Sequence, residues 1–229
     1  MRVAVPGGEG NGLSPPNPSH NPGHNPGLNP NRGPTRFDDL TGFVEGPKED
    51  HRAEHPQLAQ QLQEAAAEGE TISLHFDGGS RGNPGRAGCG AALHIQDQLI
   101  WTARAALAGD GRTNNEAEFA ALLMGLRLVP NHKSLNLEVF GDSNLVIEAM
   151  RNKCTIHDHK LTPFLQACKE EANAIGTVSF THVTRENNKK ADQLANRAMD
   201  EEEARLRQAG VVPPQQRNTG RRQQNPRPA

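Results

Sequence analysis

Four acidic residues stand where predicted strands end or predicted helices begin, and this arrangement restricts the folds that the chain can adopt. Asp77 ends one predicted strand, and Asp142 follows another. Glu118 and Asp192 each lie in the first turns of a predicted helix. Because functional groups gather at the carboxyl ends of adjacent parallel strands, the four carboxylates can converge at one sheet edge if the two strands are neighbours.

Such a cluster of carboxylates has a chemical consequence. Anions that lie close together repel one another and raise each other's pKa unless cations neutralise them. Oxygen ligands without Cys or His beside them suit a hard cation such as Mg²⁺. Two ions about 4 Å apart would activate water and stabilise the leaving oxygen of a phosphodiester displacement. The residues indicate a two-metal phosphodiesterase, although Glu118 and Asp192 taken singly are also consistent with helix-terminal charges favoured by the dipole.

The apolar pattern predicts five strands and four helices in the order βββ-α-β-α-α-β-α. The predicted strands span 72–77, 88–96, 99–106, 135–140 and 177–183, and the predicted helices span 114–128, 143–152, 161–175 and 187–208. This order favours a mixed α/β sheet over an unbroken alternation of strands and helices.

Composition divides the chain into four segments. Residues 1–55 are rich in Pro, Gly and Asn and are predicted to be a disordered tail, because they cannot bury enough apolar surface. A short helical lead-in is predicted over 56–69, and the folded domain over 70–208. Residues 209–229 form a predicted disordered tail rich in Arg and Gln, which either holds phosphates or serves as a solvated spacer.

The cysteines and the hydropathy give expectations about the cellular setting. The chain has three cysteines, an odd number without metal-ligand spacing, which argues against a disulfide framework. No stretch of the sequence is predicted to span a bilayer, and the N-terminus lacks a signal-peptide core. We therefore expect a cytoplasmic protein that does not associate with membranes, with a monomer as the default state.

Four sequence blocks resemble type 1 ribonuclease H and follow one another in the order of that family. They are residues 77–85 (DGGSRGNPG), 113–118 (TNNEAE), 141–144 (GDSN) and 185–195 (RENNKKADQLA). The resemblance implies an endoribonuclease that cuts the RNA strand of RNA–DNA hybrids with Mg²⁺ or Mn²⁺ and leaves 5′-phosphate and 3′-hydroxyl ends. It also implies a ribonuclease H-like α/β fold, with a five-stranded mixed sheet of order 3-2-1-4-5, an antiparallel second strand and helices on both faces.

The resemblance also implies roles for individual residues. The catalytic and metal-binding positions are matched by Asp77, Glu118, Asp142 and Asp192. The substrate-binding positions are matched by Asn83, Thr113, Asn114, Asn115 and Asn144, for which turn and N-cap chemistry is the alternative. In the family, the counterpart of Glu118 also touches a ribose 2′-hydroxyl. The motif's spacing selects Glu118 over Glu116, which we then expect to be an exposed charge.

The sequence departs from the family in the loop before the last carboxylate. Many members carry a mobile histidine there. Counting back from Asp192 without a gap gives His182, whereas aligning the strand places Glu186 at that position. We favour the second alignment, because His182 looks like a strand residue, so the histidine's role is either unfilled or taken by Glu186. The sequence also lacks the basic protruding helix of some members, which suggests weaker hybrid binding or help from the C-terminal arginines.

Two other functions fit the same blocks. One is a non-catalytic module that binds hybrids or double-stranded nucleic acid, and the other is a nuclease that acts on a different nucleic acid. The intact set of carboxylates argues against the first, since a binding module has no use for four mutually repelling anions. Residues 113–115 argue against the second, because this block belongs to minor-groove recognition in the family that the chain resembles.

Overall fold

The computed structural model describes residues 56–130 and 135–211 of the chain. The predicted tail over 1–55 lies outside the described residues, and so does the predicted C-terminal tail beyond residue 211. Within these two described ranges, no helix has both the length and the apolar character needed to cross a bilayer.

The described residues form five strands, five α-helices and one 3₁₀ turn, Arg185–Asn187, between the last strand and the last helix. In chain order the elements are α1 (Pro56–Glu68), β1 (Ile72–Gly82), β2 (Gly85–Ile95), β3 (Gln98–Arg112), α2 (Asn114–Leu128), β4 (Asn136–Gly141), α3 (Asn144–Met150), α4 (Thr162–Ala174), β5 (Thr177–His182) and α5 (Lys189–Gln208). The predicted order of strands and helices is confirmed, with α1 preceding it.

The strands form a single mixed sheet in the order β3-β2-β1-β4-β5. β2 is antiparallel to both β1 and β3, whereas β4 is parallel to both β1 and β5. The predicted strand order and the antiparallel second strand are therefore confirmed. Phe76 in β1 pairs with Gly141 in β4, so the next residues, Asp77 and Asp142, leave this register side by side.

The antiparallel strands run further than the glycine content predicts. β1 continues through the predicted turn to Gly82, which pairs with Gly85, so only Asn83 and Pro84 connect β1 to β2. β3 extends to Arg112 rather than ending at 106. The added residues of β1 are paired with β2 throughout, which outweighs the low strand propensity of glycine. In β3 the register is irregular, and of its described residues beyond Ala106 only Leu107 and Arg112 pair with β2.

The helices lie on both faces of the sheet. Leu74 in β1 packs against α2, close to Gly125, whereas Gly90 on the other face of β2 contacts α5. α4 packs against α2 in the outer layer. The core also includes Leu58 and Leu62 of α1, which are 3% and 0% exposed, so α1 completes the apolar core rather than only leading into the domain.

α5 lies unusually close to the sheet because β2 carries glycine beneath it. A Cβ atom on Gly90 would lie 2.5 Å from the carbonyl oxygen of Ala191 and 2.6 Å from Cβ of Leu194. Real Cβ atoms do not approach other atoms so closely, so any side chain at this position forces α5 away from the sheet. The position of α5, and of the acidic residue in its first turn, therefore depends on Gly90.

We expect Gly90→Ala to lower the free energy of unfolding by about 3 kcal/mol, because the new methyl group meets the backbone of α5. Gly111→Ala is the matched control, since a Cβ atom at this exposed β3 residue meets nothing within 4 Å. Its effect should stay within about 0.5 kcal/mol. Urea denaturation measures both values, and equal stabilities of the two variants would contradict the close packing of α5.

Candidate active site

Three of the four predicted acids come together at the carboxyl end of the central strands. Asp77 lies in β1, Glu118 in the second turn of α2, and Asp142 directly after β4. One carboxylate oxygen of each lies within 4.8 Å of those of the other two. Asp77 and Glu118 are 7% and 6% exposed, so the cluster is largely shielded from solvent on these two sides.

Glu118 reaches the cluster because α2 rests almost directly on the backbone of β1. A Cβ atom on Gly78 would lie 2.1 Å from the carbonyl carbon of Ala117, so no other residue fits there without displacing the helix. The amide nitrogen of Gly78 donates a hydrogen bond to Oε2 of Glu118 at 3.2 Å. Gly78 thus contributes to the site by permitting this approach and by holding Glu118 beside Asp77.

Asp192 lies next to this cluster but outside the group of three. It stands in the first turn of α5, and its Oδ1 accepts hydrogen bonds from both Nε, at 3.1 Å, and Nη2 of Arg185. Its charge nevertheless raises the pKa of Asp77. The structure therefore brings three predicted acids together and pairs the fourth with an exposed arginine at the same edge.

The close acids shift one another's protonation. Burial raises the pKa of Asp77 to about 8, and the neighbouring Asp142 contributes in the same direction. Burial likewise raises the pKa of Glu118 well above its ordinary value, with further repulsion from Asp77 and Asp142. Hydrogen bonds from Gly78 and Asn114 oppose this increase. An all-oxygen group that retains protons near neutral pH fits a hard divalent cation, which would displace them.

The start of α2 is fixed by a capping box. Thr113 is the N-cap, and its Oγ1 accepts a hydrogen bond from the amide of Glu116, while the carboxylate of Glu116 accepts one from the amide of Thr113. Arg112 adds an ion pair to Glu116 at 3.2 Å. The expectation that Glu116 is exposed is wrong, because these partners satisfy its charge and it is only 3% exposed.

The predicted substrate-binding residues lie on, or close in sequence to, the elements that carry the acids. The amide of Asn114 donates to Oδ1 of Asn83 at 3.3 Å, which ties the β1–β2 turn to the start of α2. The Asn114 side chain also hydrogen-bonds to Glu118. Asn83, Asn115 and Asn144 are exposed, with Asn144 at the start of α3, two residues after Asp142.

The two candidates for the family's loop histidine lie at different places. His182 ends β5, and its Nε2 lies 3.1 Å from the backbone oxygen of Asp142. Glu186 lies in the 3₁₀ turn and is exposed. Their auxiliary roles stay predictions.

Sequence reasoning missed two residues that contact the acids, Arg185 and Asn188. Nδ2 of Asn188 donates hydrogen bonds to the backbone oxygen of Phe76 at 2.8 Å and to Oδ1 of Asp142 at 3.1 Å. Asn188 is only 1% exposed. Its position before α5 is typical of an N-cap asparagine, so its sequence context gave no sign of a contact with Asp142. Arg185 is seven residues from Asp192 and begins the 3₁₀ turn that precedes α5, a spacing that does not by itself predict their contact.

A mixed sheet of this strand order, with carboxylates clustered where two parallel neighbouring strands end, defines a ribonuclease H-like domain. A family model described as reverse transcriptase-like matches residues 75–198, which include all four predicted acids. The chain therefore belongs to this reverse transcriptase-like family.

Curated relatives agree with this classification. A ribonuclease HI from Halobacterium salinarum is 37% identical over 136 residues, which are 58% of this chain and 66% of that protein. The bifunctional protein Rv2228c from Mycobacterium tuberculosis is 36% identical over 130 residues, which are 56% of this chain and 35% of that protein. The chain thus spans less than two thirds of either relative.

Solved structures show the same domain over almost their whole length. The N-terminal RNase H domain of Rv2228c from M. tuberculosis, solved as a fusion with maltose-binding protein, is 31% identical with a TM-score of 0.54, covering 60% of this chain and 99% of that one. RNase H1 from H. salinarum is 32% identical with a TM-score of 0.52, covering 57% and 98%. The predicted resemblance to type 1 ribonuclease H is confirmed.

The raised pKa of Asp77 predicts how the stability of the metal-free protein depends on pH. Folded Asp77 has a pKa of about 8, against 3.8 for the ordinary side chain. Between these values the folded protein binds more protons than the unfolded chain, so Asp77 makes the free energy of unfolding fall as pH rises. The lowered pKa values of His75 and His94 act with the opposite sign.

We therefore expect Asp77→Asn to gain stability relative to the wild type as pH rises from about 5 to about 8 in EDTA. Thermal melts of both proteins across this interval measure the difference, and the unchanged histidines cancel in it. Saturating Mg²⁺ should remove the advantage, because the ion keeps Asp77 ionised. Glu68→Gln, at the exposed end of α1, is the control. A difference between wild type and Asp77→Asn that does not vary with pH would contradict the raised pKa.

Proposed function

We propose that the protein is an endoribonuclease that hydrolyses the RNA strand of RNA–DNA hybrids. The observation that carries this proposal is the group of carboxylates at Asp77, Glu118 and Asp142, whose oxygens lie within 4.8 Å of one another. Two related proteins support the substrate: the H. salinarum relative is a ribonuclease HI, and the LC11-RNase H1 structure contains an RNA/DNA hybrid. LC11-RNase H1 is 29% identical with a TM-score of 0.51, covering 57% of this chain and 98% of that one.

The three clustered acids would hold the metal, with Asp192 as the fourth proposed ligand. Two Mg²⁺ ions, or Mn²⁺ in their place, would supply positive charge that activates water and stabilises the leaving oxygen. Cleavage would leave 5′-phosphate and 3′-hydroxyl ends. The carboxylate of Asp192 forms an ion pair with Arg185 in this structure, so a metal ion would compete with Arg185 for Asp192. Burial restricts the side chains of Asp77 and Glu118 for this role, since they are 7% and 6% exposed.

The start of α2 would position the hybrid relative to the metal site. Asn114 is joined both to Asn83 in the β1–β2 turn and to Glu118 in the cluster. A backbone or base edge bound by this segment is therefore held at a fixed distance from the carboxylates. Thr113 and Asn115 flank Asn114, and Asn144 lies at the start of α3, two residues after Asp142. Glu118 would also contact the ribose 2′-hydroxyl, which distinguishes RNA from DNA.

The cellular setting forms part of the proposal. The three cysteines are free, with Cys89 and Cys168 buried and Cys154 exposed. Free thiols are consistent with a reducing compartment, so we propose a cytoplasmic location, with a monomer as the working unit.

We expect Asp142→Asn to lower the rate of hybrid cleavage by at least about 10³-fold, because it removes one metal-binding charge worth about 4 kcal/mol in the transition state. The melting temperature in EDTA should change little, since asparagine has the shape of Asp142 and keeps an oxygen that can accept the hydrogen bond from Asn188. Asp97→Asn, at the opposite end of the sheet, should retain wild-type rates. A matched hybrid, duplex DNA and duplex RNA, each with Mg²⁺ or chelator, form the substrate panel.

Two results of that assay would count against the proposal. Cleavage by Asp142→Asn at wild-type rates would show that the carboxylate cluster does not take part in the reaction. Hybrid binding without cleavage by the wild type would instead indicate a non-catalytic module.

Asn115→Ala should raise the KM for the hybrid about fivefold with little change in kcat, because one hydrogen bond to the substrate is worth about 1 kcal/mol. Stability should not change, since Asn115 is exposed at the start of α2. Asn173→Ala replaces an equally exposed asparagine on α4 and is the matched control. Steady-state kinetics with both variants test the assignment, which fails if their KM values agree.

A further inference from the structure

Asn188 occupies a helix N-cap position without making the side-chain bond that such positions favour. It directly precedes α5, and its side chain makes no capping hydrogen bond to the helix. Asparagine at an N-cap ordinarily accepts a hydrogen bond from an amide of the first turn. Its side chain is instead buried against the sheet, with 1% of the residue exposed.

The carboxamide of Asn188 connects the segments that carry the acids. Nδ2 donates to the backbone oxygen of Phe76, the residue before Asp77, at 2.8 Å. It also donates to Oδ1 of Asp142 at 3.1 Å. The backbone oxygen of Asn188 accepts a hydrogen bond from the amide of Asp192 at 3.1 Å. One residue is therefore bonded to β1, to the end of β4 and to the first turn of α5.

These bonds have an electrostatic effect and a geometric one. A donor directed at Asp142 partly offsets the repulsion among the clustered carboxylates, and it fixes the orientation of one carboxylate oxygen. The bond to Phe76 fixes the carboxamide itself relative to β1. Groups that hydrogen-bond to metal ligands orient those ligands and contribute to metal affinity, and Asn188 has this relation to Asp142.

We propose that Asn188 is a positioning residue that sets the divalent-metal affinity of the carboxylate cluster by orienting Asp142 relative to Asp77 and Asp192. This inference rests on the proposed function, because it assumes that the cluster holds metal. Asn188 touches neither substrate nor metal in this proposal and acts through Asp142.

The test compares Asn188→Ala and Asn188→Ser with Asn187→Ala, which changes the exposed neighbouring asparagine. Serine favours the beginning of a helix, so Asn188→Ser tests the proposal even if the alanine variant does not fold. Two Mg²⁺ titrations are run on each protein: the rise in melting temperature above its value in EDTA, and the rate of hybrid cleavage.

For both Asn188 variants we expect the Mg²⁺ concentration at the midpoint of each titration to rise about tenfold or more, while Asn187→Ala matches the wild type. The KM for the hybrid at saturating Mg²⁺ should stay within about twofold, because no substrate contact is lost. A loss of positioning thus appears in the metal dependence rather than in substrate binding.

Unchanged Mg²⁺ midpoints in the Asn188 variants would overturn the inference, and a lower melting temperature in EDTA alone would then assign Asn188 a purely structural role. A wild-type melting temperature that does not respond to Mg²⁺ would also overturn it. Failure of the wild type to cleave hybrids would contradict the proposed function instead, and the thermal titration would still decide the role of Asn188.

Discussion

Mutual repulsion among buried carboxylates is the constraint that the rest of this structure accommodates. Asp77 and Glu118 are almost fully buried beside Asp142, and burial and proximity both disfavour their charged forms. Two of the three acids are bonded to a group that acts against the repulsion. Gly78 donates to Glu118, and Asn188 donates to Asp142. A cluster that holds carboxylates this close together is suited to binding a cation, whose positive charge offsets their repulsion.

The position of α5 shows which interactions hold that cluster in place. Its far end forms ion pairs with the sheet, such as Arg81–Glu203 at 2.9 Å and Arg104–Glu201 at 2.9 Å. Partly exposed pairs of this kind each contribute about 0–1 kcal/mol. The close contact at Gly90 is the stronger determinant, because any added atom there overlaps the helix backbone. The close backbone contact at Gly90, more than the ion pairs, therefore determines the position of α5 and of Asp192 in its first turn.

Helices and strands could be predicted from the sequence where the hydrophobic periodicity was strong. The clustering of acids could be predicted where a strand ends on a carboxylate. Asp77 and Asp142 could be placed together because parallel neighbours end at one edge, and β1 and β4 are such neighbours. The length of β1 could not be predicted, since glycines that usually end a strand here continue to pair with β2. The burial of Glu116 was also missed, because it depends on Arg112 and on the capping box rather than on helical periodicity.

Asn188 and Arg185 illustrate a more general limit of reading sites from sequence. Both precede Asp192 in a segment whose pattern predicts only the start of a helix, and either could have been a solvated polar residue. The 3₁₀ turn directs Arg185 toward Asp192, whereas Asn188 turns inward to Asp142. Arg185 neutralises Asp192 from the solvent side, whereas Asn188 orients Asp142 from the interior of the protein. A cation entering the cluster would replace the first contact and retain the second, so the two neighbours differ in function although their residue types are equally polar.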